Sequence, residues 1–190
     1  MISEFLTPSI CRAADRHRAP IILHISRLQR FADTENIRQL KEVTQTYPAL
    51  RLIVAHLGRS YNPLYLEKGL ELLGGAGDWW YDFSAVTNPE VHKLALRAIP
   101  HDRLCFGFDN PIMLSRGYYE FPTPSSYTMH IHGYNLESAD YPPLAHQILK
   151  GFKEAAEAVG LSRESVRKIF FDNAMDLLAA KPTLAWARFC

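Results

Sequence analysis

Residues 51–58, RLIVAHLG, decide the fold. Leu52, Ile53, Val54 and Ala55 form an unbroken aliphatic run with no polar residue between them, the pattern of a strand buried on both faces in a parallel sheet. Three further runs share it: Pro20–Ser26 (PIILHIS), Trp79–Ala85 (WWYDFSA) and Arg103–Asn110 (RLCFGFDN). The segments between them have helical spacing. Thr34 supplies a cap for a helix bearing Ile37, Leu40, Val43 and Tyr47, and Pro48 stops it. Asn62-Pro63 and Asn88-Pro89 each set a capping side chain before a proline at the first helical position. Strands alternating with helices predict an α/β fold on a parallel sheet, either a (β/α) barrel or a doubly wound sheet.

Each run ends on a polar residue: His24, His56, Asp82 and Asp109, at intervals of 32, 26 and 27 residues. One strand-helix unit takes about 30 residues, so successive units deliver these side chains to one sheet edge. That C-terminal edge is where parallel α/β folds place their active sites. Two imidazoles and two carboxylates are the ligand types of zinc, manganese or iron. Arg27 and Arg59 follow the two histidines at the same offset, in HISR and HLGR. At least one is expected at the mouth of the sheet, where a guanidinium clamps a carboxylate in bidentate fashion; the plain alternative is a solvated loop arginine.

After Asp109 the period breaks. Residues 111–143 hold Pro111, Pro122, Pro124, Pro142 and Pro143 with Tyr118, Tyr119, Tyr127, Tyr134 and Tyr141, and read as a long loop excursion over the sheet edge. His130 and His132 form an HxH pair within it. On an extended segment they face the same side and could reach one metal, or else decorate a lid surface. His17, His92, His101 and His146 are assigned surface roles, and Trp79 and Trp80 are expected to pack between sheet and helices. Helices resume from about Pro143 to Val159, stopped by Gly160, and from Ser162 through Val166, Ile169 and Phe170, followed by a terminal helix or tail ending Trp186–Cys190.

The whole chain of 190 residues reads as one domain, 47% hydrophobic and 22% charged with a net charge of +1. That balance excludes a disordered chain and argues against nucleic acid as a partner. The apolar stretches at Leu52–Ala55 and Leu177–Ala180 fall far short of the ~20 residues of a membrane span, and Ser3 and Glu4 open no secretory leader. Cys11, Cys105 and Cys190 lack metal-type spacing, which points to free thiols and a cytoplasmic location. No glycine-rich phosphate loop, GxSxG elbow or CxxC occurs.

Taken in order, PIILHIS, LIVAHLGRS, FGFDNP and RKIFFDNAMDLL resemble the C-terminal half of the amidohydrolase-related family (amidohydrolase 2 type) of metal-dependent hydrolases, over roughly residues 12–178. The resemblance implies the C-terminal portion of a TIM barrel, strands five to eight, and a closing helix that Asn173 and Ala174 match. His24 resembles the strand-five metal ligand, and His56 the strand-six histidine that binds metal or acts on the substrate. Asp109 resembles the strand-eight aspartate that ligates metal and moves the proton of the bound water, with Phe108 where Ser or Thr is usual; Asp82 has no clear counterpart. The activity implied is hydrolysis of a small, carboxylated substrate by a metal-activated water. The divalent metal expected is zinc, with manganese or iron as alternatives, and Arg27 and Arg59 would bind the substrate. The family also includes decarboxylases and hydratases, so a lyase is the alternative, and a non-catalytic half barrel acting in assembly is another. Strands one to four and their HxH have no counterpart here, so the expected partner is a second copy or the missing N-terminal half. With His24 and Asp109 as ligands and His56 as a third at most, metal binding and turnover are expected to be weak.

Overall fold

In the computed structural model, which describes residues 1–123, 126–133 and 141–179, the four hydrophobic runs pair as one parallel sheet. Pro124, Tyr134, Trp186 and Cys190 lie outside the described residues. Strands β1 (Pro20–Leu23), β2 (Arg51–Val54), β3 (Trp80–Asp82) and β4 (Leu104–Cys105) stand in sequence order. Pro20 faces Arg51, Ile53 faces Trp80 and Tyr81 faces Leu104. The ladders are shorter than the hydrophobic runs. The chain leaves the sheet before His24, His56 and Asp109, and of the four polar residues only Asp82 is still in a strand.

Helices α1 (Ile2–Phe5) and α2 (Pro8–His17) precede the sheet, and α3 (Thr34–Thr46), the single turn α4 (His56–Arg59), α5 (Pro63–Leu73) and α6 (Pro89–Ala98) connect its strands. Their apolar faces cover one side of the sheet: Leu40, Leu66 and Ala95 meet Leu23, Leu52, Val54, Tyr81 and Leu104 in one core. The other side is not buried as a fully covered parallel sheet would be. Ile22 is 69% exposed and Ile53 half-buried, because among the described residues that side borders an open cavity. Asp33, rather than Thr34, caps α3, its carboxylate accepting from the amides of Glu35 and Asn36. Asn88 caps α6 as expected. Asn62 precedes α5 without capping it, and its side-chain polar atoms are buried without a hydrogen-bond partner.

The excursion contains an antiparallel hairpin, β5 (Gly117–Thr123) and β6 (Ser126–Ile131), with Tyr118 opposite His130. It is tied to α7 (Leu144–Val159) through Gln147, which donates to the carbonyl of Gly117. Gly160 ends α7 in a left-handed conformation. Then come α8 (Arg163–Arg167), capped by Ser162, a π-helical turn (Lys168–Asp172) and α9 (Asn173–Ala179). Asn173 donates to the carbonyls of His101 and Leu104, each at 2.7 Å, and Arg51 donates to the carbonyl of Leu177 at 3.1 Å. These bonds hold α9 across the N-terminal end of the sheet, away from the strand ends that carry the polar residues.

His92 is fully buried rather than on the surface. Its Nε2 donates to the carbonyl of Val86 at 2.8 Å and its ring stands edge-on to Phe83. His101 is half-buried between Ser165 and Leu96. Cys11 and Cys105 are free, buried thiols. Trp79 is buried, whereas Trp80 is half-buried with the Arg103 guanidinium over its ring at 4.3 Å. No helix among the described residues is long and apolar enough to cross a membrane.

Two features of the core give measurable outcomes. A Cβ at Gly69 would meet Phe31 at 2.1 Å, and one at Gly58 would meet it at 2.5 Å, so the two glycines form the slot that admits this ring. Gly69→Ala should therefore destabilise by about 1–3 kcal/mol through overpacking, despite alanine's better helix propensity, as read by urea unfolding. Burial pushes His92 down to about 4 from 6.5. A histidine depressed in the folded state contributes stability above its unfolded pKa, and that contribution is lost as pH falls from 6.5 toward 4, by up to roughly 3 kcal/mol. Unfolding curves at pH 7 and pH 5 should show this loss, and His92→Gln should reduce the difference between the two pH values.

Candidate active site

The four polar strand-end positions border one cavity of about 510 Å³, lined by His24, His56, Asp82 and Asp109 at its rim and by Ile22, Ile53 and Cys105 below. Parallel polarity causes this convergence, since every strand points the same way and every strand end reaches the same edge. The His24 and His56 rings lie edge to face with centroids 5.3 Å apart. His56 Nε2 is 3.9 Å from Asp109 Oδ2, an ion-pair separation too long for a direct hydrogen bond. His24 is exposed, and its pKa is lowered by desolvation, then by the neighbouring His56 and Arg59.

His56 is held by the end of β3. Its backbone amide donates to Asp82 Oδ1 at 3.1 Å, and its Nδ1 is 2.9 Å from the carbonyl oxygen of Ser84 and 2.8 Å from its hydroxyl. The Ser84 amide and hydroxyl also donate to Asp82 Oδ1. Burial raises the Asp82 carboxyl, against the donors from Ser84 and the attraction of His56, which lower it. The turn that follows is strained: His56, Leu57, Gly58 and Arg59 all have positive φ, at 55°, 49°, 71° and 59°. For residues with a Cβ each such conformation costs about 1–2 kcal/mol. Ala85 and Asp109 share it, at 58° and 70°. Strain of this kind gathers at functional rims, where the surrounding structure overrides local preference.

The two arginines part company. Arg59 donates to the carbonyl oxygens of Ile25 and Ser26 at 3.3 and 3.4 Å, beside His24 at the mouth. Arg27 is exposed and committed to Asp33 at 2.9 Å, and neither arginine lines the cavity. Its expected substrate role has no geometric support because the carboxylate that caps α3 takes its guanidinium. His130 is bonded to Glu120 and stacked on Tyr118, His132 is stacked on Tyr141 at 3.9 Å, and neither lines the cavity. Among the described residues no group of three or more His, Cys, Asp or Glu side chains is arranged to hold a metal ion. His24, His56 and Asp109 offer the right donor atoms without closing a three-ligand site, and Asp82 Oδ1 is already occupied by three hydrogen bonds.

Sequence reading missed the wall above His56. Tyr61 lies nearly parallel to the His56 ring at 6.5 Å, and Tyr119 and Tyr127 of the hairpin pack on Tyr61 at 6.2 and 4.9 Å. Burial raises the pKa of Tyr61 and Tyr119. Arg30 fastens the wall. Its guanidinium lies 5.4, 4.9 and 4.7 Å from the rings of Tyr61, Tyr65 and Tyr127, and Nη2 donates to the Tyr127 hydroxyl at 3.1 Å. The tyrosine density of residues 111–143 was the available signal. Arg30, in a polar loop about 100 residues upstream, offered none.

A parallel α/β sheet with histidines and aspartates converging on its C-terminal edge is the arrangement of a class of enzyme folds. The amidohydrolase family model (Amidohydro_2) matches residues 6–179. The chain belongs to that family. No curated protein matches the sequence. Among solved structures, an uncharacterised TIM-barrel protein of Bordetella bronchiseptica is similar with a TM-score of 0.52 at 12% identity, covering 94% of this chain and 52% of its own. A 2,6-dihydroxybenzoate decarboxylase complexed with 2,6-dihydroxybenzoate gives 0.52 at 13% identity, over 90% and 54%, and a 2,6-dihydroxybenzoate decarboxylase from Rhizobium gives 0.51 at 14%, over 90% and 55%. The chain thus spans about half the length of the barrel structures it matches.

The Arg30 cage predicts how the hairpin is held. Arg30→Ala removes three cation-π contacts and one hydrogen bond, each worth about 0.5–1.5 kcal/mol. Hydrogen exchange should quicken in β5 and β6 while the β1–β4 amides keep their protection. Uniform loss of protection across both sheets, or no change in the hairpin, would contradict this.

Proposed function

We propose that this chain carries the acid–base half of a carbon–carbon lyase that decarboxylates a small aromatic acid. The observation that carries the reading is the His56–Asp109 pair, 3.9 Å apart at the rim of the cavity beside the Tyr61 ring. Tyr61, Tyr119 and Tyr127 form an aromatic cluster beside His56, which favours an aromatic over an aliphatic substrate. Arg59, beside His24 though outside the cavity lining, is the cation we assign to the substrate carboxylate. The two dihydroxybenzoate decarboxylases among the similar folds support the same reading.

The proton steps fall to residues of this chain. In its neutral form His56 carries its hydrogen on Nδ1, facing a carbonyl, so a second proton goes to Nε2. From Nε2 that proton is transferred to the ring carbon bearing the carboxylate. The carbon–carbon bond then breaks, its electron pair restores the aromatic ring, and the carboxylate leaves as carbon dioxide. Asp109 Oδ2, open to solvent, is positioned to relay a proton taken from water to Nε2 for the next cycle. Hydrolysis, the expectation drawn from the family resemblance, asks the same pair to work on a metal-bound water, which takes about three protein ligands. The described residues bring together fewer, so hydrolysis would need ligands from outside this chain.

The experiment offers hydroxylated benzoates, and separately amides, esters and lactones, to the 190-residue chain and to the same chain fused behind a four-strand barrel half. Carbon dioxide release from the benzoates is expected from the fused protein, with only traces from the chain alone. His56→Gln and Asp109→Asn should each lower it by about 10²-fold or more. Hydrolysis without decarboxylation would overturn the proposal. Titration calorimetry of the 190-residue chain with manganese or zinc should show weak, sub-stoichiometric binding, and one tightly bound ion per chain would overturn the partial ligand set.

A further inference from the structure

Asp82 is a buried acid that the proton chemistry above does not use. Its Oδ1 accepts from the backbone amide of His56, the backbone amide of Ser84 and the hydroxyl of Ser84. One oxygen therefore ties the end of β3 to the first residue of the left-handed turn after β2. The Ser84 carbonyl can only accept, so the His56 nitrogen 2.9 Å from it must carry a hydrogen. The Ser84 hydroxyl spends its hydrogen on Asp82, so toward His56 Nδ1, 2.8 Å away, it too can only accept. Both partners demand the same form of the ring, with hydrogen on Nδ1 and the lone pair on Nε2.

We infer that Asp82 and Ser84 are positioning residues, which together fix the backbone turn and the ring tautomer that aim the Nε2 lone pair of His56 at Asp109. Neither touches the reacting atoms. Asp82 acts through the amide of His56 and the side chain of Ser84; Ser84 acts through Nδ1. Without the Asp82 oxygen, His56 and its neighbours would relax from positive φ toward ordinary backbone, because only Gly58 of the four adopts that region without a steric penalty. The ring would then leave the Ser84 carbonyl and either nitrogen could carry the hydrogen. The inference rests on the lyase reading only for its purpose; the geometry is measurable without substrate.

The test is the imidazole nitrogen spectrum of His56 in the 190-residue chain labelled with ¹⁵N-histidine, recorded above the titration range of the ring and assigned by His56→Gln. The wild-type chain should show Nδ1 protonated and Nε2 unprotonated as one form. Asp82→Ala should convert this to a mixture of tautomers, while Asp82→Asn, which keeps an acceptor oxygen, should restore the single form. Ser84→Ala keeps the carbonyl and should keep the tautomer. If Asp82→Ala fails to fold, Asp82→Leu, which fills the same space without an acceptor oxygen, takes its place with the same expected mixture. Hydrogen on Nε2 in the wild-type chain, a mixture in Asp82→Asn, or an unchanged single form in a folded Asp82→Ala would each overturn the inference. A single Nδ1–H form in a protein that releases no carbon dioxide would leave this geometry standing and remove the lyase reading.

Discussion

One buried oxygen, Asp82 Oδ1, joins two neighbouring strand ends, and the candidate site depends on that joint. The parallel register sets Tyr81 beside Val54 and Asp82 beside Cys105, so the last residue of β3 lies next to the point where the chain leaves β2. From there its carboxylate reaches the amide of His56 and holds open a turn that local preference resists. Gly58 fits the turn because it tolerates positive φ and because Phe31 lies where its Cβ would be. Arg59 closes the turn and bonds back to the loop after β1. A carboxylate on one strand thus sets the positions of a histidine and an arginine that belong to the preceding unit.

The sheet is stabilised mainly from one side. Helices α3, α5, α6 and α7 bury the outward residues Leu23, Leu52, Val54, Tyr81 and Leu104 in a continuous core with Phe83 and Phe152. The inward residues have less cover: Ile22 is largely exposed, and Ala174, Leu177 and Leu178 of α9 close only part of the cavity. An exposed apolar wall of this kind normally marks a surface that is covered in the working assembly.

Much of the fold could be read from hydrophobic periodicity. The four runs, the helices between them, the proline-opened α5 and α6 and the glycine stop at Gly160 all follow from local chemistry. His24, His56, Asp82 and Asp109 were legible as a group because one strand-helix period repeats. What was hidden depended on contacts distant in sequence. Arg27 and Arg59 have the same offset from a histidine, yet Asp33 captures one and the loop after β1 receives the other. The hairpin was hidden because its rings are only half-buried and its strands pair with each other instead of joining the hydrophobic sheet. His92 was read as a surface residue because its buried surroundings come from Phe83, Val86 and Phe152, which pattern on one helix cannot show.

Five of the seven non-glycine residues with positive φ among the described residues show where folding and function compete; Arg18, which ends α2, and Arg30 lie elsewhere. His56, Leu57, Arg59, Ala85 and Asp109 all carry a Cβ, and all lie in the loops just past the strand ends. Glycine would remove a backbone penalty of about 1–2 kcal/mol at each, but at Leu57, fully buried in the core, the lost burial would outweigh it. At His56, Arg59 and Asp109 glycine would also delete the imidazole, guanidinium or carboxylate. The side chains retained there are those whose chemistry the rim needs, and the opposing force is the parallel sheet behind them, whose register keeps Asp82 within reach of the most strained turn. Stability and chemistry are therefore divided along each strand, with aliphatic residues at its start and the reactive groups at or just past its end.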